Sequence, residues 1–268
     1  MGLAGCAWAT VIVNWGLVLL ATWTLRTSAL YEPYRIWQPM ERPDWNVLRG
    51  FARLGVPTAL SVLVEVTSFT LMALFIARLG TVAAASHQVA ANSTAVLYMV
   101  PLSLGLATSA RVSYWLGAGD PRQARLALRT GFRLALLLAG GSAVVLALAH
   151  EAIARLYAGD RPEVVQGAGR LLLWVAAYHV ADATQALGVF LLRSYGVATR
   201  PLVVYCVLLW GVGLGGGYLL AYVGVPGLEP LQTPAAFWGA GALALSLTAI
   251  VFTVLLWRVS HEPRYAGR

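Results

Sequence analysis

Charge is absent from residues 1–25 and from 79–110, and other long apolar stretches are set off by short clusters of charge. A helix needs roughly 20 apolar residues to cross the hydrocarbon core of a bilayer. By that measure the pattern predicts seven spans. The first is Leu3–Leu25, the second 54–77 with Glu65 inside it, and the third follows a turn at Leu79-Gly80-Thr81. A fourth runs from Arg133 to about His150, and a fifth lies between Arg170 and Arg193 and contains Asp182. The sixth covers Leu202–Val223 and the seventh Phe237–Trp257. Residues 32–53, with Pro33, Pro39 and Pro43, read as a polar connection too charged to span. Gly117-Ala118-Gly119-Asp120-Pro121 reads as a tight turn, with a glycine taking positive φ and Pro121 opening the next helix. Gly211, Gly213, Gly215, Gly216 and Gly217 read as a surface for close helix approach.

Composition agrees. Only 11% of the 268 residues are charged, less than half of the roughly 25% usual in a soluble domain. The chain is an all-α, polytopic membrane protein.

Its net charge of +8 rests on 19 basic residues, all of them arginine. Without lysine there is no Schiff-base chemistry and no phosphate-loop lysine. The arginines sit between apolar runs, so the basic balance points to membrane topology rather than to a nucleic-acid partner. Fifteen of them, Arg35, Arg42, Arg264 and Arg268 included, fall in segments on one side, and four (Arg78, Arg155, Arg161 and Arg170) on the other. The positive-inside bias places the richer side, with the C-terminus, in the cytoplasm. An odd number of spans then leaves the N-terminus outside, an arrangement expected of the tail of a longer protein. Cys6 and Cys206 lie in apolar runs and offer no disulfide framework or zinc site. No HExxH, CxxC, GxSxG or GxxxxGK[ST] pattern occurs, which removes the motif basis for metalloprotease, redox, hydrolase or nucleotide-binding readings.

The polar residues inside the spans carry the functional signal, because an ionisable group there costs at least about 2.5–3.5 kcal/mol to insert. Glu65 and Asp182 are the two acids in the spans, and the nearest arginines along each helix stand roughly 16 Å or more away. Each acid must be protonated, bind a mobile cation or face water. Thr58, Ser61, Glu65 and Ser68 share one helix face. Tyr178, Asp182 and Gln185 share another, and Gln88, Asn92, Met99 and Ser103 form a third stripe. Three stripes could converge on one cavity, although hydroxyls and amides also serve simply to join helices. His179, three residues before Asp182, reads either as a proton relay or as a packed core histidine, and His87 beside Gln88 is open in the same way. The ten tryptophans read mainly as interfacial anchors.

Several of these segments together resemble one family. Leu54-Gly55-Val56-Pro57, Glu65 and Leu79-Gly80-Thr81 resemble the seventh helix and following turn of multidrug and toxic compound extrusion (MATE) transporters. Ser86-His87-Gln88-Val89-Ala90-Ala91-Asn92, Pro101-Leu102-Ser103-Leu104-Gly105 and Leu116-Gly117-Ala118-Gly119-Asp120 are similar to its eighth helix and beyond. Phe237-Trp238-Gly239 resembles the start of its last helix. The chain departs from the pattern at Arg111-Val112-Ser113, where the family has Arg-Val-Gly, and in the bulky Tyr114-Trp115 that follows.

The resemblance implies the C-terminal half of a twelve-helix, two-lobed fold. Residues 1–53 would be the last helix of the N-terminal lobe with the inter-lobe linker, and 54–268 the six-helix C-terminal lobe. Within the NorM-like branch it implies an ion site at Glu65, Tyr178 and Asp182, holding a metal only if the coupling ion is sodium. Gln88, Asn92, Met99 and Gln185 would contact substrate. No cofactor is expected beyond Na⁺ or H⁺ as coupling ion. The function implied is antiport in the inner (plasma) membrane, exporting cationic amphipathic drugs. Its partners would be the lipid bilayer and either the missing N-terminal lobe or a second copy. Alternatives are an inert fragment of a split or truncated gene, with Met1 an internal methionine, and a lipid-linked oligosaccharide flippase of the same superfamily.

The arginine distribution makes a direct prediction about topology. Cysteines introduced between residues 26 and 53 should be shielded from an impermeant thiol reagent in intact cells, while those between 157 and 163 should react. The opposite labelling pattern would overturn the orientation.

Overall fold

The structure is a computed structural model, and it describes residues 2–34, 36–37, 43–227 and 229–262. Arg35, Arg42, Arg264 and Arg268, four of the arginines used to orient the chain, and Pro39 lie outside the described residues, as does the Cys6 side chain. Seven long apolar helices are present among the described residues. They are α1 (Gly2–Thr27), α2 (Trp45–Ala77), α3 (Thr81–Gly117), α4 (Pro121–Ala158), α5 (Pro162–Ser194), α6 (Thr199–Val223) and α7 (Pro234–Ser260). The all-α, seven-span reading holds.

Helix lengths correct several expected boundaries. The 38 residues of α4 extend about 57 Å at the α-helical rise, well beyond a hydrocarbon core of about 30 Å. The span expected after Arg133 is therefore the apolar middle of a helix that starts at Pro121. Arginine is a good helix former, so charge marks where lipid ends and not where helix ends. Residues 32–53 are corrected for the same reason: from Trp45 onward they belong to α2, with the Asp44 carboxylate accepting from the Asn46 backbone N–H at 2.8 Å. Caps set the actual ends. Asp120 accepts from the backbone N–H groups of Arg122 and Gln123, both at 3.0 Å, and Pro121 follows it at the first position of α4. Gly119 takes φ 74°, the left-handed conformation expected of this turn.

The chain divides into two compact units, Met1–Leu48 and Arg49–Arg268. In the first, a 3₁₀ turn at Ala29–Tyr34 follows α1, the Arg26 guanidinium lies 4.6 Å from the Trp37 ring centre, and Trp37 donates to the Leu25 carbonyl at 3.4 Å.

In the second unit α5 is the central helix. Of its apolar window 72% is buried, against 39% for α7, the next most enclosed span. It packs on α3, α4 and α7, and α6 packs on α7. Two apolar clusters form along it. One includes Leu171, Leu172, Val175 and Tyr178 with Phe237 and Trp238 of α7; the other includes Leu187, Leu191 and Leu192 with Tyr205 and Phe252. The short segment of α5 between them holds His179, Asp182 and Gln185, all buried. Helix α2 is held differently, by donors of α6 reaching its backbone: Trp210 to the Val64 carbonyl at 3.2 Å and Tyr222 to the Phe75 carbonyl at 2.6 Å.

Helix α6 widens into i→i+5 turns over Cys206–Gly215 and Leu219–Val223. Its glycines do pack. A Cβ on Gly213 would stand 3.3 Å from that of Ala244, and one on Gly217 would stand 2.7 Å from the Phe237 ring and 3.0 Å from Phe237 Cα. Gly211 meets nothing within 4 Å. The Gly217→Ala substitution should therefore lower the thermal unfolding midpoint of the detergent-solubilised chain, through overpacking of about 1–3 kcal/mol. Gly211→Ala should leave it unchanged or slightly raised. Equal effects of the two would show that α6 and α7 are not in close contact here.

Candidate functional site

The middle of α5 turns Tyr178, Asp182 and Gln185 inward on one face, at 3%, 6% and 0% exposure. Gln185 organises them. Its amide N–H donates to Asp182 Oδ1 at 3.1 Å, while its carbonyl oxygen accepts from the Tyr205 hydroxyl of α6 at 2.5 Å. An ionised carboxylate can only accept, so the amide turns its nitrogen to Asp182 and its oxygen to the Tyr205 hydroxyl, which sets the orientation of an otherwise reversible group. Glu65, half-buried on α2, is close enough for its charge to interact with that of Asp182. Two acids from two helices thus lie within electrostatic reach of each other.

Among the described residues no salt bridge joins either acid to an arginine. The Arg193 charge, at the end of α5, acts on Glu65, Tyr98 and Tyr205 from a distance. The Arg193 guanidinium lies 5.2 Å from the Phe190 ring centre, a contact that steadies it at the end of α5.

Tyr178 faces the other apolar cluster. Its hydroxyl pairs with that of Thr94 on α3 at 3.2 Å, and its ring stacks on Trp238 with centres 5.9 Å apart. Trp238 also meets the His87 ring at 5.6 Å. This tryptophan is 2% exposed, so the general reading of tryptophans as interfacial anchors does not apply to it. His179 is 1% exposed and His87 4%. Among the described residues, the Nδ1 atoms of both and Trp238 Nε1 are buried without a hydrogen-bond partner.

The third stripe does not join this cluster. Gln88 and Asn92 are exposed on α3 and pair with each other, Nε2 to Oδ1 at 3.4 Å, and Met99 is 54% exposed on the same helix. The face of α3 that packs inward presents Ser93 and Thr94 instead. Asp182 itself is buried. Ser61 of the α2 stripe is buried and donates to the Pro57 carbonyl at 2.8 Å.

Sequence reasoning missed Thr94, Tyr98 and Tyr205. None shares a periodic stripe with an acid on its own helix, so only the packing of α3, α5 and α6 reveals them. Chemically, the arrangement offers two carboxylates, three phenols, a hydroxyl and an amide whose N–H faces Asp182. The carboxylate and hydroxyl oxygens suit a proton or a hard cation. Among the described residues no group of three His, Cys, Asp or Glu side chains could hold a metal ion.

Comparison with known proteins follows the same lines. Residues 57–219 match the family model described as MatE. The chain is 38% identical over 267 residues to a probable multidrug resistance protein NorM of Aromatoleum aromaticum, covering 98% of this chain and 57% of that protein. It is 36% identical over 263 residues to the multidrug resistance protein MdtK of Pectobacterium atrosepticum, with the same two coverages. The chain therefore spans little more than half the length of these relatives. Its fold is similar to that of the eukaryotic MATE transporter AtDTX14, with a TM-score of 0.77 at 22% identity over 93% of this chain and 55% of that one. It is also similar to a mutant of the Vibrio cholerae MATE transporter VcmN, with a TM-score of 0.76 at 18% identity over 90% and 54%. With a family match across most of its transmembrane core and close agreement in fold, this seven-helix membrane protein belongs to the MatE family.

Proposed function

We propose that the chain is the C-terminal lobe, with one preceding helix, of a cation-coupled antiporter that exports cationic amphipathic drugs across the inner membrane, C-terminus in the cytoplasm. The observation that carries this reading is the approach of Glu65, on α2, to the buried Asp182 of α5, whose carboxylate accepts from Gln185. Two carboxylates so placed repel when both are charged, and a bound Na⁺ or proton relieves that repulsion. Loading favours the arrangement in which α2 and α5 close on the ion, and release favours the alternative. Differential affinity for two arrangements is what lets an ion gradient drive a conformational change. Tyr178 supplies a neutral oxygen beside Asp182, and Tyr205 positions the amide. The exposed face carrying Gln88, Asn92 and Met99 offers polar and polarisable contacts to a drug in a cavity completed by a second lobe.

The test joins this chain to the N-terminal portion of the Aromatoleum relative and follows export of a fluorescent cationic drug. Asp182→Asn and Glu65→Gln should each lower gradient-driven export by at least about tenfold, with insertion into the membrane unchanged. Tyr178→Phe and Tyr205→Phe should weaken it less. Applying Na⁺ and H⁺ gradients separately identifies the coupling ion. Unchanged export by Asp182→Asn would place the coupling site elsewhere. The 268-residue chain alone in liposomes should show no gradient-driven uptake. Uptake that vanishes with Asp182→Asn would instead show a competent lone lobe.

A further inference from the structure

Arg125, Arg129 and Arg133 recur every fourth residue on α4 and so form one stripe along the helix. The stripe makes one wall of a groove of about 360 Å³. The other wall is the end of α7, from Thr253 through Trp257 to His261. The mouth is tied shut on one side, because Arg125 Nη1 donates to the Ser260 carbonyl at 3.3 Å. Its aromatic edge is fixed as well: His261 Nδ1–H donates to the Trp257 carbonyl at 2.8 Å, and the two rings lie 5.2 Å apart. Arg129 and Arg133 are exposed. No acid is among the residues that line the groove, and among the described residues neither arginine has an ion-pair partner; the salt bridge present is Arg155–Glu151, on a distant turn.

Depth narrows what fits. Arg133 is the last charge on α4 before an apolar stretch that runs to His150, and Trp257-Arg258 closes the apolar stretch of α7. The inner end of the groove therefore lies at the boundary of the hydrocarbon. Its floor is apolar, with Phe132 and Leu256, and farther along the helices Leu137, Ile250 and Val254 are exposed. A free anion satisfies only the arginines, and a neutral lipid satisfies only the apolar part. Guanidinium groups grip phosphate oxygens two at a time, and basic clefts between transmembrane helices suit lipid headgroups.

We propose that the α4–α7 groove binds one anionic phospholipid, its headgroup phosphate between Arg129 and Arg133 and its acyl chains against Phe132 and the exposed face of α7. The lipid joins two helices that each pack on α5, and so completes the bundle at its interface.

The 268-residue chain, purified in mild detergent, is titrated with phosphatidylglycerol, phosphatidylcholine or inorganic phosphate, and bound lipid is counted by native mass spectrometry. One phosphatidylglycerol should bind in preference to phosphatidylcholine. The Arg129→Gln/Arg133→Gln double variant should lose about 25-fold in affinity for it, at about fivefold per arginine. Arg155→Gln/Arg170→Gln, which removes equal charge from the opposite end, should retain the preference. Thr253→Trp, which fills the apolar half and leaves every arginine in place, should also weaken binding. Several results would overturn the assignment: equal binding of the two lipids, a preference that survives the Arg129/Arg133 double variant, equal loss in the distant control, or displacement of the lipid by inorganic phosphate at matched concentration.

Discussion

Everything in the larger unit is arranged around one difficulty, a carboxylate buried in the middle of a transmembrane bundle. Asp182 is enclosed on the most buried helix of the protein, and the surrounding side chains meet the cost of keeping it there. Gln185 donates to it, Tyr205 holds Gln185, and Glu65 comes within electrostatic reach of it from α2. The apolar clusters stack on either side, so the polar groups occupy one thin layer of α5. Such a layer is sensitive to anything that changes its charge, since low-dielectric walls screen very little.

Helix α2 is the more lightly held helix of this arrangement. Few of its side chains are buried, and α6 holds it through hydrogen bonds to the carbonyls of Val64 and Phe75. The first of these lies beside Glu65. Val64, Met72 and Ile76 of α2 do join the apolar clusters, but α5 is buried along most of its length. Of the two acids, Asp182 therefore sits on the more firmly held helix.

Much of this was legible in the sequence. Apolar run length gave the seven helices, because a bilayer imposes a minimum span that no local propensity overrides. Periodicity placed Tyr178, Asp182 and Gln185 on one face, and the helix face proved to be the buried one. Helix ends were less legible, since α2 and α4 continue past the lipid boundary through charged turns that favour helix as well as apolar ones do. The partners of the acids were illegible for a different reason. Thr94 and Tyr205 reach the site from separate helices, and one-dimensional spacing records only neighbours on the same helix. The stripe on α3 showed the converse: a correct face, with Gln88 and Asn92 paired to each other and turned away from the acids.

The widened turns of α6 have a consequence for how this protein can vary. Trp210 and Tyr222 grip the same helix from positions twelve residues apart. In a regular α-helix that separation leaves two side chains about 120° out of alignment, and turns that take more residues per revolution bring them back toward a common side. The grip thus depends on phase, and phase is a running count of residues. Replacing one small apolar residue of α6 by another preserves the count, whereas deleting a single residue rotates one handhold away while leaving hydropathy nearly untouched. Length, more than chemical character, is what this segment has to keep constant.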